Sequence, residues 1–172
     1  MEKIRYIQRN CTDHKKIDCF LNEARIGIVG ISGDHYPYCV PVNYVWQNGK
    51  IYFHGMGSGK KNNLLMEHSN VSFTVFKEYG TVEDEVPCHA DTSYLSVMIF
   101  GKAVPIDDPA EKAMALQAII DKFMPGFYKG KISGSYVKNY HSSLDQRPVA
   151  VYQIIPEEIT AKENAADPGR IH

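Results

Sequence analysis

The sequence predicts a mainly β fold with helices: a mostly antiparallel barrel whose ends the helices close. Three observations carry this. Asn48-Gly49, a strong hairpin signal, joins two runs rich in β-branched and aromatic residues, "YCVPVNYVW" and "KIYFHG". Strands joined by hairpins cannot all be parallel. The remaining strand-like segments are not regularly interleaved with helices, which argues against a doubly wound sheet.

The elements follow in order. Residues 13–24 read as a helix, with Asp13 as N-cap and Ile17, Phe20, Leu21 and Ala24 at helical spacing. "RIGIVGIS" (25–32) is a near-continuous apolar strand, closed by the turn "GDHYP". Residues 38–46 and 50–55 are the two arms of the hairpin. A short helix is expected over 60–70 and a strand over 71–78. The polar, acid-rich stretch 79–93 reads as a loop. A long strand (94–106) precedes the clearest helix, 107–125, with Asp107 or Asp108 as cap and Pro109 in the first turn. A further short helix (133–143) and a closing strand (148–163) complete the chain. Residues 1–163 are thus expected to form one domain and 164–172 a loosely ordered tail.

Composition narrows the function. The 172 residues suffice for one domain with a sizeable core, and the net charge of −1 advertises no nucleic acid and no anionic membrane surface. No apolar run approaches a membrane span, and the first residues lack the apolar core of a signal peptide. Cys11, Cys19, Cys39 and Cys88 form no C-x-x-C pair, so no structural metal site is expected. The cytoplasm is the expected location.

The segment with the most chemistry is "FHGMGSGKKNNLL" (53–65). It fails the P-loop pattern, because His54 stands at the first glycine position and Lys61 at the hydroxyl position. It fails the dinucleotide fingerprint, because Lys60 replaces the third glycine. What remains is an anion cradle: glycines that let the backbone approach, amides at a helix start, and two lysines. A solvated turn carrying surface lysines accounts for the same residues.

The blocks "VPVNYVWQNGKIYFHGMGSGKKNNLL" (40–65) and "PCHADTSYLSVMIFGKAV" (87–104), in this order, resemble the FMN-binding split β-barrel superfamily of the pyridoxamine 5′-phosphate oxidases. Within it they look most like the Nim-type 5-nitroimidazole resistance proteins. The resemblance implies a homodimer with FMN at its interface. It implies that Pro41, Val42, Asn43 and Tyr44 run along the flavin, and that His54 and Gly55 lie at the phosphate and ribityl end. Lys60 and Lys61 would hold the phosphate, and Ser96 and Val97 would flank the flavin. The implied activity is reduction of a nitroaromatic compound, with His54 as the catalytic residue. Leu95 stands where an arginine is common, and the C-terminal strand offers only Lys162 as a cation. Oxidation of a pyridoxamine phosphate is therefore not expected.

Blander readings accompany these. Asn43, Tyr44 and Ser96 are also ordinary strand residues, and Trp46 fits hairpin packing. Cys88 and His89, being adjacent, point apart and have no third ligand at suitable spacing. Glu83, Asp84 and Glu85 fit a solvated loop. His54 is either a proton donor to substrate or an anchor for the phosphate. A flavin- or haem-binding module without catalysis is the alternative function, with His54 and His141 as the axial candidates.

Overall fold

A computed structural model describes residues 6–166 and 168–171. Six strands close into an antiparallel barrel in the order β1-β2-β3-β6-β5-β4. They are β1 (Ile26–Ile31), β2 (Tyr38–Gln47), β3 (Lys50–Gly55), β4 (Asn70–Val82), β5 (Asp91–Pro105) and β6 (Ala150–Asn164). Helices α1 (His14–Glu23), α2 (Lys60–Glu67), α3 (Pro109–Phe123) and α4 (Gly134–Asn139) surround it. None of them is long and apolar enough to cross a membrane.

Side-chain alternation builds the interior. Val29, Val42, Tyr44, Phe53, Phe73, Val75, Val97, Ile99, Tyr152 and Ile154 all point inward and are buried. Tyr44 meets Phe73 edge-on at 4.9 Å, and Phe53 stacks on Tyr152 at 5.2 Å. Phe20 and Leu21 of α1 join this core, as do Leu64 and Leu65 of α2. α3 makes a second core on the outside of the barrel, where Ala115 and Ile119 cover Val45, Tyr52 and Val151. The caps follow the sequence: Asp13 accepts from the Lys16 amide at 3.1 Å, and Asp108 from the Glu111 amide at 2.7 Å.

One expectation needs correction. The two ends of 79–93 are strand, not loop: β4 continues to Val82 and β5 begins at Asp91, leaving 83–90 between them. Gly80, at φ 128°, sits at an irregularity after Glu78 that lets a polar, two-sided ribbon keep pairing. Arg170 and Ile171, in the tail, meet this segment. Arg170 donates to the Glu83 carbonyl at 2.7 Å, accepts from its amide at 3.0 Å, and Ile171 bridges to Val82. Residues 167 and 172 of that tail lie outside the described residues.

At Gly101 the β5–β6 ladder shifts register, and the Ile155 carbonyl lies where a β-carbon would stand. Gly101→Ala is expected to destabilise the fold by about 1–3 kcal/mol, because backbone cannot yield as a side chain does. Gly130→Ala, with open space around it, should stay near neutral. Urea denaturation of both variants checks the contrast.

Candidate functional site

The hairpin determines where the barrel opens. Asn48 (φ 53°) and Gly49 (φ 70°) both take the left-handed conformation of a two-residue turn. Its flanking pair, Gln47 and Lys50, faces across the ladder, followed by Trp46–Ile51, Val45–Tyr52 and Tyr44–Phe53. There the β2–β3 ladder stops. In such a hairpin every second pair exchanges both backbone bonds, and the next to do so is Asn43 with His54. Their main-chain donors and acceptors are therefore aimed into a split between the two strands. Pro41, with no N–H to give, lies on the same open edge, where a proline costs no ladder bond.

Two lysines from the start of α2 straddle this split. Lys60 Nζ lies 5.3 Å from the centre of the Tyr38 ring on β2. Lys61 Nζ lies 5.9 Å from that of Phe53 on β3, and 2.5 Å from where a β-carbon of Gly55 would be. Gly55 thus supplies the room that Lys61 occupies. Half-burial pushes the Lys61 ammonium below its ordinary pKa. Neither lysine has an acidic partner among the described residues. Gly59, at φ 89°, stands at the N-cap and gives α2 no side-chain cap, so the first-turn amides stay open. Two unpaired cations beside uncapped amides are the donor set of an anion site, phosphate above all.

The approach to α2 is held from behind. Ser58 donates to Asp145 at 3.0 Å, and Arg147 donates to the Gly57 carbonyl at 3.4 Å. Tyr152 donates to Asn62 Oδ1 at 2.6 Å from inside the barrel. Arg147 and Asn62 line a hollow of about 220 Å³ with Gly57 and Lys112. Sequence pattern does not single out Arg147, whose one signal is a cation just before the final strand.

The expected site residues separate by side-chain direction. Pro41, Asn43 and His54 point outward beside the split and are exposed. Val42, Tyr44 and Val97 point into the core, so only their main chain can reach a ligand on the outer surface. The Tyr44 hydroxyl is already used, donating to the Leu21 carbonyl at 2.8 Å. Ser96 faces outward on β5, three strands away from β2 through β1 and β4, and lies 3.5 Å from the Lys162 carbonyl. One chain does not bring Ser96 to the split. His141 follows α4 and lines a separate hollow of about 500 Å³, away from His54.

His54 has a solvent-facing side but is crowded by protein on the other. That crowding, and then the nearby charge of Lys61, lower its pKa below the ordinary 6.5. The ring is therefore mainly neutral at pH 7. Between the two values the folded chain binds fewer protons than the unfolded one. The stability contributed by His54 is thus lost as the pH falls from 6.5 through the folded value.

The chain belongs to the pyridoxamine 5′-phosphate oxidase family, whose model matches residues 13–163. No curated protein matches it. Among solved structures, the flavocytochrome Anf3 from Azotobacter vinelandii shares the fold, with a TM-score of 0.78 and 22% identity over 97% of this chain and 74% of that one. A FAD- and haem-binding protein from Mycobacterium smegmatis superposes with a TM-score of 0.75 and 18% identity, over 93% and 75%. A Bacteroides thetaiotaomicron protein, assigned by inference to 5-nitroimidazole antibiotic resistance, is 27% identical over 89% and 85%, with a TM-score of 0.68. The expected split-barrel superfamily is thereby borne out.

Lys61→Met removes the charge that acts on His54 but leaves the crowding. The His54 pKa, followed by proton NMR of its ring, should rise toward 6.5 without reaching it. An unchanged value would show that Lys61 does not act on the ring.

Proposed function

We propose that this chain is a flavin-dependent oxidoreductase that holds FMN at the split and reduces a nitroaromatic compound of the 5-nitroimidazole type. The carrying observation is the pair Lys60 and Lys61, one on each bank of the split and neither with an acidic partner among the described residues. The family and the flavin named for several structural neighbours support the cofactor class. The Bacteroides neighbour supports the substrate class.

The residues fit a flavin phosphate. Lys60 and Lys61 would ligate its oxygens, the open amides of α2 would face it, and Arg147 would steady the glycine turn. Pro41 and Asn43 would lie along the ribityl chain and ring, with the main chain of Val42 and Tyr44 behind them. When bound, the flavin would carry electrons from an external reductant to the nitro group.

A homodimer completes the site in this reading. Register places Pro41, Ile28, Thr74 and Met98 side by side on the outer face. Ile26, Phe76 and Met98 are exposed there, at 59, 63 and 38%. A two-fold pairing over this apolar face lets Ser96 and Val97 of one protomer approach the split of the other.

Reducing a nitro group to an amine consumes protons as well as electrons, and His54 is the imidazole beside the split. Its neutral ring can take a proton from solvent at its free nitrogen and give the other nitrogen's proton to a bound oxyanion, ending as the other neutral tautomer. The competing role is a hydrogen bond to the phosphate. A second reading, a haem- or flavin-binding module without catalysis, draws on His141. Its Nδ1 lies 3.2 Å from the Asn139 carbonyl, which leaves Nε2 for a metal in a hollow shared with Tyr136 and Tyr140.

An absorption spectrum of the purified chain, with mass identification of what it carries, tests these readings. Flavin bands with FMN mass are expected. A Soret band without flavin favours the module, and a colourless chain that takes up no flavin removes the proposal. Lys60→Gln with Lys61→Gln should cost at least about 100-fold in FMN affinity, as two charge-assisted bonds are lost. His54→Ala should keep the flavin yet lose nitroaromatic turnover; loss of flavin instead makes His54 an anchor.

A further inference from the structure

The proposed function leaves one cluster of metal-ligating side chains unused. Asp34 lies in the turn between β1 and β2, Glu67 ends α2, and His68 follows it. One donor atom from each lies within 4.8 Å of the others. Sequence spacing could not show this, because the turn and the helix end meet only in the fold. We propose that Asp34, Glu67 and His68 form a binding site for a divalent transition-metal cation of the zinc class.

Four features point to a cation there. The three side chains make no hydrogen bond or ion pair among the described residues, so no protein group competes for their lone pairs. Two carboxylates this close repel each other when ionised, and a cation removes that cost. They stand at the C-terminal end of α2, where the helix carbonyls add negative potential and the last turn has no basic residue. The His68 amide is bonded to the Leu64 carbonyl at 2.8 Å, which fixes the backbone that carries the ring.

The donor set selects the metal. One imidazole and two carboxylates suit a borderline cation such as zinc, whereas calcium and magnesium prefer oxygen alone. On such an ion, with bonds of about 2.1 Å, donors sit roughly 3–3.5 Å apart. Asp34 and Glu67 are exposed and close that difference by rotamer changes. The same exposure lets solvent water complete the shell. The bound ion ties the β1–β2 turn to the end of the helix whose first turn carries Lys60 and Lys61. The site stands whether or not the split holds a flavin.

Calorimetric titration of the full, tag-free chain with zinc ion alone tests this. One saturable equivalent is expected, weakened at least 10-fold by Asp34→Asn and by His68→Gln, and unchanged by His89→Gln. Binding that survives both cluster variants, that follows His89, or that does not saturate by millimolar zinc overturns the proposal. A measurement on the unaltered chain guards against misfolded variants. Zinc should shift the His68 ring resonances before those of the other histidines, and any other order contradicts the site.

Discussion

The β2–β3 ladder ends one pair short of Asn43 and His54, and the site depends on that interruption. A fully paired barrel would spend those main-chain groups on each other. Here they face a gap bounded by Tyr38 on one strand and Phe53 on the other, with a lysine over each. A half-buried ammonium without a counter-ion is costly, and an incoming phosphate offsets that cost. One of these charges also acts on His54: crowding lowers its pKa, and Lys61 lowers it further.

The opening persists because both ends of it are held. On one side the paired part of the hairpin is covered by Ala115 and Ile119 of α3, which bury Val45 and Tyr52. On the other, α2 is fastened by Leu64 and Leu65 in the core and by the Tyr152–Asn62 bond. Between them the glycine turn is backed by Ser58–Asp145 and by Arg147. Gly55 leaves the space that Lys61 Nζ occupies, and glycine is favoured at Gly59 because its φ is positive.

Much of this was legible in the sequence, because hairpin and cap signals are local. Asn48-Gly49 determined the register, and Asp13, Asp108 and Pro109 marked helix starts that the structure keeps. The ends of the 79–93 stretch misled because their polarity imitates a loop, while they pair as an exposed ribbon past a glycine irregularity. The resemblance brought Val42, Tyr44 and Val97 forward as contacts, but alternation sends their side chains inward. Arg147 and the Asp34–Glu67–His68 cluster were invisible because they are made by segments distant in sequence. Ser96 reaches the split in the proposed arrangement only from a second protomer, a relation that no single chain displays.

The central claim is that the two lysines at the split bind a flavin through its phosphate. Comparing FMN with riboflavin in the flavin-free chain, by fluorescence titration, tests it most directly. The two ligands share ring and ribityl chain and differ only in the phosphate. FMN should bind tighter by on the order of 100-fold or more, as two charge-assisted hydrogen bonds require. Equal affinity for the two would contradict it.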